Sequence, residues 1–154
     1  MEIKTILWPT DLSDNSLQAI DHVSSLAQKH GAKVILFYVA FSLDSFFPAY
    51  GDRPSQELAD RFQEWEGEVA KTRMRHLCDN KLCGCPYLDV RTATGNPGAE
   101  ILKMVDQENV DLVIMPTKGR SQAMEGEFFG SVADKVIKNS PVPVYVINPK
   151  NKVR

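Results

Sequence analysis

The chain has 154 residues, 43% of them hydrophobic and 25% charged, with a formal net charge of -2. That length and balance suit one folded domain with one core and exclude a disordered chain. The near-neutral charge excludes a general attraction to nucleic acid or anionic membranes, and no apolar run approaches the ~20 residues of a membrane span. The opening from Met1 to Thr10 interleaves charged and apolar residues, unlike a secretory signal, so a cytoplasmic protein is expected.

Apolar runs alternate with helical patterns along the chain. Ile3 to Trp8 reads as a first strand, stopped by Pro9. Ser13 or Asp14 caps the next element, where Leu17, Ile20, Val23 and Ala27 repeat at helical spacing and Gly31 ends the last turn. Val34 to Val39 is apolar without alternation, the mark of a strand buried on both faces. Phe41 to Pro54 reads as a long surface loop, in which Phe41, Phe46, Phe47 and Tyr50 either lid a pocket or form a partner surface, or pack on a neighbouring helix or a second subunit, the reading we favour.

Ser55 caps a second helix running to about Leu77, with Leu58, Phe62, Trp65 and Val69 as its inner face and Trp65 in the core. Leu88, Val90 and Thr92 alternate with polar neighbours, which predicts a strand with one open face. Asn96 caps a third helix with Pro97 at its first position, and Ile101, Leu102 and Val105 face inward. Leu112 to Met115 is a further buried strand. Val132, Val136 and Ile137 mark the last helix, and Pro141 and Pro143 introduce the final strand, Val144 to Ile147. Parallel strands need right-handed crossovers, so five strands with four helices between them predict a three-layer αβα sandwich. The expected organisation is one domain over residues 1–148 and a polar tail over 149–154.

Ligands of open α/β sheets bind beyond the carboxyl ends of the strands. Two loops there are unusual: Pro9-Thr10-Asp11-Leu12-Ser13, and Pro116 to Ser121 closing on Gly130-Ser131. A helix opening on Gly130-Ser131 offers backbone N–H groups and a positive dipole end to a phosphate. Lys118 and Arg120 add positive charge, and Asp11 offers an acceptor for ribose hydroxyls or an adenine amine. Each motif also has a plain structural reading, as a strand terminator and a helix cap.

Catalysis needs a positioned nucleophile, base or metal. The chain has no Walker A pattern, no Gly-x-Ser-x-Gly elbow and no His-Glu-x-x-His. His22 and His30 read as surface residues. His76, Cys78, Cys83 and Cys85 form a His-x-Cys-x4-Cys-x-Cys cluster. It admits three readings: reduced structural cysteines, which we favour; a redox pair; or a zinc site, for which Cys-x-Cys is a strained spacing.

These residues resemble the universal stress protein family. Ile6 to Ser13 is similar to its opening, Ile-Leu-Val-Pro-Thr-Asp-Phe-Ser. Gly95-Asn96-Pro97 with Glu100-Ile101-Leu102, Asp111 to Met115, Gly119-Arg120-Ser121, Phe129 to Ala133 and Pro143-Val144 resemble its later segments in the same order. The resemblance implies an adenine nucleotide alpha hydrolase-like fold with strand order 3-2-1-4-5. It also implies a homodimer paired through the last strand, here Val142 to Ile147, whose apolar edge would otherwise stand open.

Members that bind ATP resemble Gly-x2-Gly-x9-Gly-Ser/Thr after strand four. Here Gly119, Gly130 and Ser131 match, the first glycine falls on Pro116, and ten residues separate Gly119 from Gly130, one more than the pattern. Proline offers no N–H and blocks close backbone approach. Glu125 and Glu127 place carboxylates inside that loop. Asp11 and Val39 match positions facing adenine and ribose; Ser121, Ser131 and Val132 match the phosphate side. The resemblance thus implies a nucleotide site of Pro9, Thr10, Asp11, Val39, Met115, Pro116, Gly119, Arg120, Ser121, Gly130, Ser131 and Val132. Its ligand would be ATP, ADP or AMP with Mg2+, and any hydrolysis would be incidental. Trp8, where the family usually has a small aliphatic residue, would reduce the room if it pointed inward. The alternative is a member that binds no nucleotide and acts as an interaction module for another protein.

Overall fold

The structure, a computed structural model, describes residues 2–40, 42, 54–82, 84–119 and 129–149. β1 (Thr5–Pro9), β2 (Lys33–Ala40), β3 (Tyr87–Thr94), β4 (Leu112–Pro116) and β5 (Val144–Ile147) form one sheet in the order β3-β2-β1-β4-β5. Every pairing is parallel. The helices are α1 (Asp14–Leu17), α2 (Ile20–His30), α3 (Gln56–Lys81), α4 (Pro97–Gln107) and α5 (Ser131–Asn139).

Alternation along the strands divides the core. Ile6, Trp8, Val34, Leu36 and Tyr38 point to the layer of α2 and α3, while Leu7, Ile35, Phe37, Val39, Val113 and Met115 point to the layer of α4 and α5. Each such aliphatic side chain, fully buried, contributes roughly 1.5–3 kcal/mol. Trp8 is fully buried in the first layer, on the face of the sheet opposite Val39 and Met115.

Several ends form as the residues dictate. Gly31 closes α2 in the left-handed region at φ 62°, which a glycine adopts without steric cost. Ser55 Oγ accepts from Leu58 N–H at 3.3 Å, and Asn96 Oδ1 accepts from Ala99 N–H at 3.0 Å with Pro97 at the first helical position. The one helix expected between β1 and β2 is two. Ala19 N–H donates to Ser16 C=O at 3.2 Å, a three-residue closure that tightens the chain between α1 and α2.

α3 departs further from expectation. It runs to Lys81, one turn beyond Leu77. Its buried residues are Ala59, Ala70 and Met74, while Leu58, Phe62, Trp65 and Val69 are exposed, Trp65 at 61%. The 4-3-4 spacing does mark a stripe, but a different stripe packs. Small Ala70, packed in the core beside Met74, lets the helix lie close to the sheet, and Glu66 turns inward to accept from Tyr38 O–H at 2.8 Å. Smaller differences follow the same logic: Leu102 and Ile137 are only partly covered or exposed on α4 and α5, where Ile101, Val105, Ala133 and Val136 fill the core.

The amino end of the sheet is tied by charge. Asp111 Oδ2 accepts from Lys4 N–H at 2.8 Å and Thr5 N–H at 2.9 Å, joining the start of β1 to the start of β4. β5 is an edge strand with Tyr145 exposed beside His22; Tyr145 Oη and His22 Nδ1 lie 3.3 Å apart.

Candidate functional site

Strand order reverses at β1. The chain passes from β1 to β2 on one side, and β4 lies on the other, so the loops after β1 and β4 part and leave a crevice. A cleft of about 350 Å³ opens there. It falls within the ~300–1,000 Å³ typical of small-molecule sites. Its floor is apolar, made of Phe37, Val39, Ile101 and Met115. Pro9, Thr10 and Asp11 form one wall; Pro116, Thr117 and Gly119 form the second; Gly130 to Ala133, with Pro97, form the third.

The first wall is held by its own side chains. Thr10 N–H continues the sheet by donating to Phe37 C=O at 2.8 Å. Thr10 Oγ1 accepts from Leu12 N–H at 3.0 Å and from the buried Ser16 hydroxyl at 2.8 Å. Asp11 Oδ1 accepts from Ser13 N–H at 3.0 Å and from the Ser13 hydroxyl. Leu12 takes a left-handed backbone at φ 59°, of order 1 kcal/mol unfavourable for a leucine, while its side chain packs on the core. That turn aims Asp11 across the cleft.

The first and second walls latch together. Asn15 Nδ2 donates to Gly119 C=O at 3.2 Å. The other Asp11 oxygen lies so close to Gly119 that a Cβ there would sit 2.5 Å from it. Glycine at 119 is thus required by close approach of a carboxylate. Gly130 differs: its φ is -70°, and an added Cβ would meet Thr117 C=O at an ordinary 3.6 Å.

The third wall is the start of α5. Gly130 N–H is not available to a ligand as expected, because it donates to Thr117 C=O at 2.8 Å and closes the base of the loop. Among the described residues no side chain caps α5, which leaves the N–H groups of Ser131, Val132 and Ala133 pointing out of the helix start. Lys135 Nζ donates to Asn96 Oδ1 at 3.1 Å and holds the starts of α4 and α5 side by side.

The structure therefore brings Pro9, Thr10, Asp11, Val39, Met115, Pro116, Gly119, Gly130, Ser131 and Val132 to one cleft. Arg120 and Ser121, and the loop carboxylates Glu125 and Glu127, lie outside the described residues, as do Phe41, Phe46, Phe47 and Tyr50. Lys118 is half-buried and does not line the cleft. The predicted site set lacked Ser16, Phe37, Tyr38, Pro97, Ile101, Thr117 and Ala133, which also line the cleft. Phe37 was legible as the residue two before Val39 on the same strand face. Ser16, Pro97, Ile101 and Ala133 depend on which helix starts meet in space.

The cysteine cluster is not assembled around a centre among the described residues. Cys78 and Cys85 are half-buried against the core on the α2–α3 side, His76 is exposed, and Cys83 lies outside the described residues. Positions two apart on a helix face different ways, which separates His76 from Cys78. Burial pushes the Cys78 thiol above its usual pKa, and the charge of Asp79 adds to this. A thiol of that kind is a poor nucleophile at neutral pH. No group of three or more potential metal ligands occurs among the described residues.

Fold and cleft define an α/β domain with an apolar-floored crevice at its switch point. A model of the universal stress protein family matches residues 2–148, and the chain belongs to that family. The universal stress protein MJ0531 of Methanocaldococcus jannaschii is 32% identical over 151 residues, 97% of this chain and 84% of the relative. MJ0577 from the same organism has a solved structure that superposes with a TM-score of 0.84 at 28% identity, covering 99% of this chain and 100% of that one. A universal stress protein solved in complex with cAMP superposes with a TM-score of 0.70 at 20% identity, covering 97% and 100%. The fold is the adenine nucleotide alpha hydrolase-like one of these neighbours.

Proposed function

We propose that this universal stress protein binds an adenine nucleotide, ATP, ADP or AMP, in the cleft between β1 and β4, and works by binding and not by catalysis. The observation that carries the reading is the pairing of Asp11 with the α5 start across one apolar cleft. An apolar floor suits a base. The Asp11 carboxylate suits hydroxyl or amine donors, and the uncapped N–H groups of Ser131 to Ala133 suit a phosphate. The cAMP complex of a relative with the same fold supports the same ligand class. Arg120 and Ser121 are proposed to join the phosphate side.

Mg2+ fits only as a companion of the phosphates. Asp11 is the one carboxylate among the described lining residues, and its Oδ1 already accepts two bonds from Ser13. Asp11 faces the hydroxyl end, so Mg2+ would be held by phosphate oxygens and water, as that ion commonly is. The protein is further proposed to be cytoplasmic and to dimerise through β5, whose outer edge carries Tyr145. No helix among the described residues is long and apolar enough to cross a membrane.

A second reading, an interaction module without nucleotide, has one observation in its favour. Pro116 lines the cleft with no N–H to offer, and Gly130 N–H is already used. Titration calorimetry with ATP, ADP and AMP, with and without Mg2+, separates the two. Saturable binding lost in Asp11→Ala and Gly130→Val supports the nucleotide; no binding up to millimolar nucleotide ends that reading and leaves the second.

A further inference from the structure

The first half of α3 carries the largest side chains that the fold leaves outside. Leu58, Phe62, Trp65 and Val69 are 57%, 40%, 61% and 39% exposed. They repeat at 4-3-4 spacing, the seam of a helix that packs against another helix by knobs into holes. The seam spans roughly 16 Å at 1.5 Å per residue, three turns of helix. At its centre the Phe62 and Trp65 rings rest on each other, centroids 5.9 Å apart and tilted by 42°. Aromatic residues held in this way are the usual anchors of protein interfaces.

The flanks of the seam are acidic. Glu57, Asp60, Glu64 and Glu68 are exposed around it; Arg61 is the one base within its span among the described residues, and Lys71 and Arg73 follow beyond Val69. Lys71 pairs with Glu68 at 2.9 Å, but no ion pair engages Glu57, Asp60 or Glu64 among the described residues. A second copy of the same half-helix would bring like charges together, and an anionic lipid surface would be repelled. The complement of an apolar seam with an acidic border is a helix with apolar residues on one face and lysine or arginine beside them.

We propose that this face of α3 docks a cationic amphipathic helix of a partner protein. The site lies on the opposite side of the sheet from the cleft floor and does not depend on what the cleft holds.

Trp65 is a built-in reporter, because the only other tryptophan, Trp8, is fully buried. The probe is a synthetic leucine–lysine peptide of about five helical turns, with leucines at 3-4 spacing. Its titration into the full chain is followed by tryptophan emission, with Trp65→Phe subtracting the Trp8 signal. Saturable one-to-one binding with a blue shift is expected. Phe62→Asp, an exposed position that leaves the core intact by circular dichroism, weakens it at least about tenfold. Raised salt weakens it too. Equal binding of a leucine–glutamate peptide, or of the lysine peptide with its leucines scrambled, overturns the proposal. So does a Trp65 shielded from iodide in the chain alone, which would mean that the chain itself covers the face. Self-association in the ultracentrifuge that Phe62→Asp abolishes would assign the face to a second copy, and also overturns it.

Discussion

Gly119→Ala tests the latch between the two cleft loops. The new Cβ would stand 2.5 Å from one Asp11 carboxylate oxygen and 3.3 Å from Cγ. Ordinary contact begins near 3.4 Å, so the carboxylate must retreat by about 0.9 Å. Ser13 N–H and the Ser13 hydroxyl resist, because both hold Oδ1. A charge-assisted hydrogen bond contributes roughly 1.5–3 kcal/mol, and stretching one across the turn costs a fraction of that in stability. If Asp11 accepts a bond from bound nucleotide, displacing it forfeits the same roughly 1.5–3 kcal/mol, a ten- to hundredfold weaker Kd. The measurement is a double-mutant cycle by calorimetry. Gly119→Ala is expected to be costly with Asp11 present and neutral within about 0.5 kcal/mol in an Asp11→Ala background, where the methyl has room. Equal losses in both backgrounds would refute the reasoning, because the glycine would then act on the ligand directly and not through Asp11.

Three further predictions concern stability. Tyr38→Phe removes the hydroxyl that donates to Glu66 Oε1, while the other oxygen of that carboxylate is buried with no partner among the described residues, and is expected to cost about 1–3 kcal/mol in urea unfolding. Adding Glu66→Leu removes the stranded acid and recovers most of that loss; a double variant less stable than Tyr38→Phe would count against the account. Asp111→Ala strips two backbone acceptors from the start of β1 and is expected to cost about 2 kcal/mol, with Asp111→Asn losing less because its amide oxygen still accepts. Burial raises the Asp89 carboxyl, but its hydrogen bond to Arg91 and the charges of Arg91 and Lys33 outweigh this and hold it below the usual value. Its contribution is therefore complete above the unfolded Asp value near pH ~4 and fades as pH falls through the lowered folded value. The side chains are about a third exposed or more, so solvent screening limits the effect to under ~1 kcal/mol. An Asp89→Asn variant should lose its stability difference from the parent in melts below that range; an unchanged difference would exclude the mechanism.

Strands were the most legible part of the chain. Val34 to Val39 and Leu112 to Met115 are apolar without alternation because both faces are covered, and both are buried strands. Helix ends were legible where one residue does the work, as Gly31, Ser55 and Asn96-Pro97 do. Strand order came through the family resemblance, since periodicity says nothing about neighbours. α3 shows the limit most clearly. Leu58, Phe62, Trp65 and Val69 satisfy every rule for an inner face, yet Ala59, Ala70 and Met74 are inside. Spacing reports that an apolar stripe exists; which stripe meets the sheet depends on how closely the backbones approach, and alanine permits the closer fit. The cleft was half legible. Asp11, Val39 and Gly130-Ser131 stand at strand ends and a helix start that topology places together. Nothing local announces that Gly130 N–H is spent on Thr117 or that Ser16 holds Thr10 from beneath.

Those two local bonds bear on how the cleft would treat a ligand. Donors and acceptors in it are separated. The β1 wall presents the Asp11 carboxylate, an acceptor; the α5 wall presents the N–H groups of Ser131 to Ala133, donors at a positive helix end. Between them, Pro116 can donate nothing, and the Gly130 bond to Thr117 pins the loop base so that the α5 donors keep their aim. A molecule with hydroxyls or an amine at one end and a phosphate at the other is oriented by this separation alone, with the apolar floor under its ring. The same geometry concentrates the uncapped N–H donors among the described residues in one helix turn. On the proposed nucleotide reading a first phosphate would meet that turn, and further phosphates would call on Arg120 and Ser121, the residues proposed to join it. Comparing AMP with ATP in wild type and in Arg120→Ala would therefore weigh that loop, because the variant should penalise ATP more than AMP.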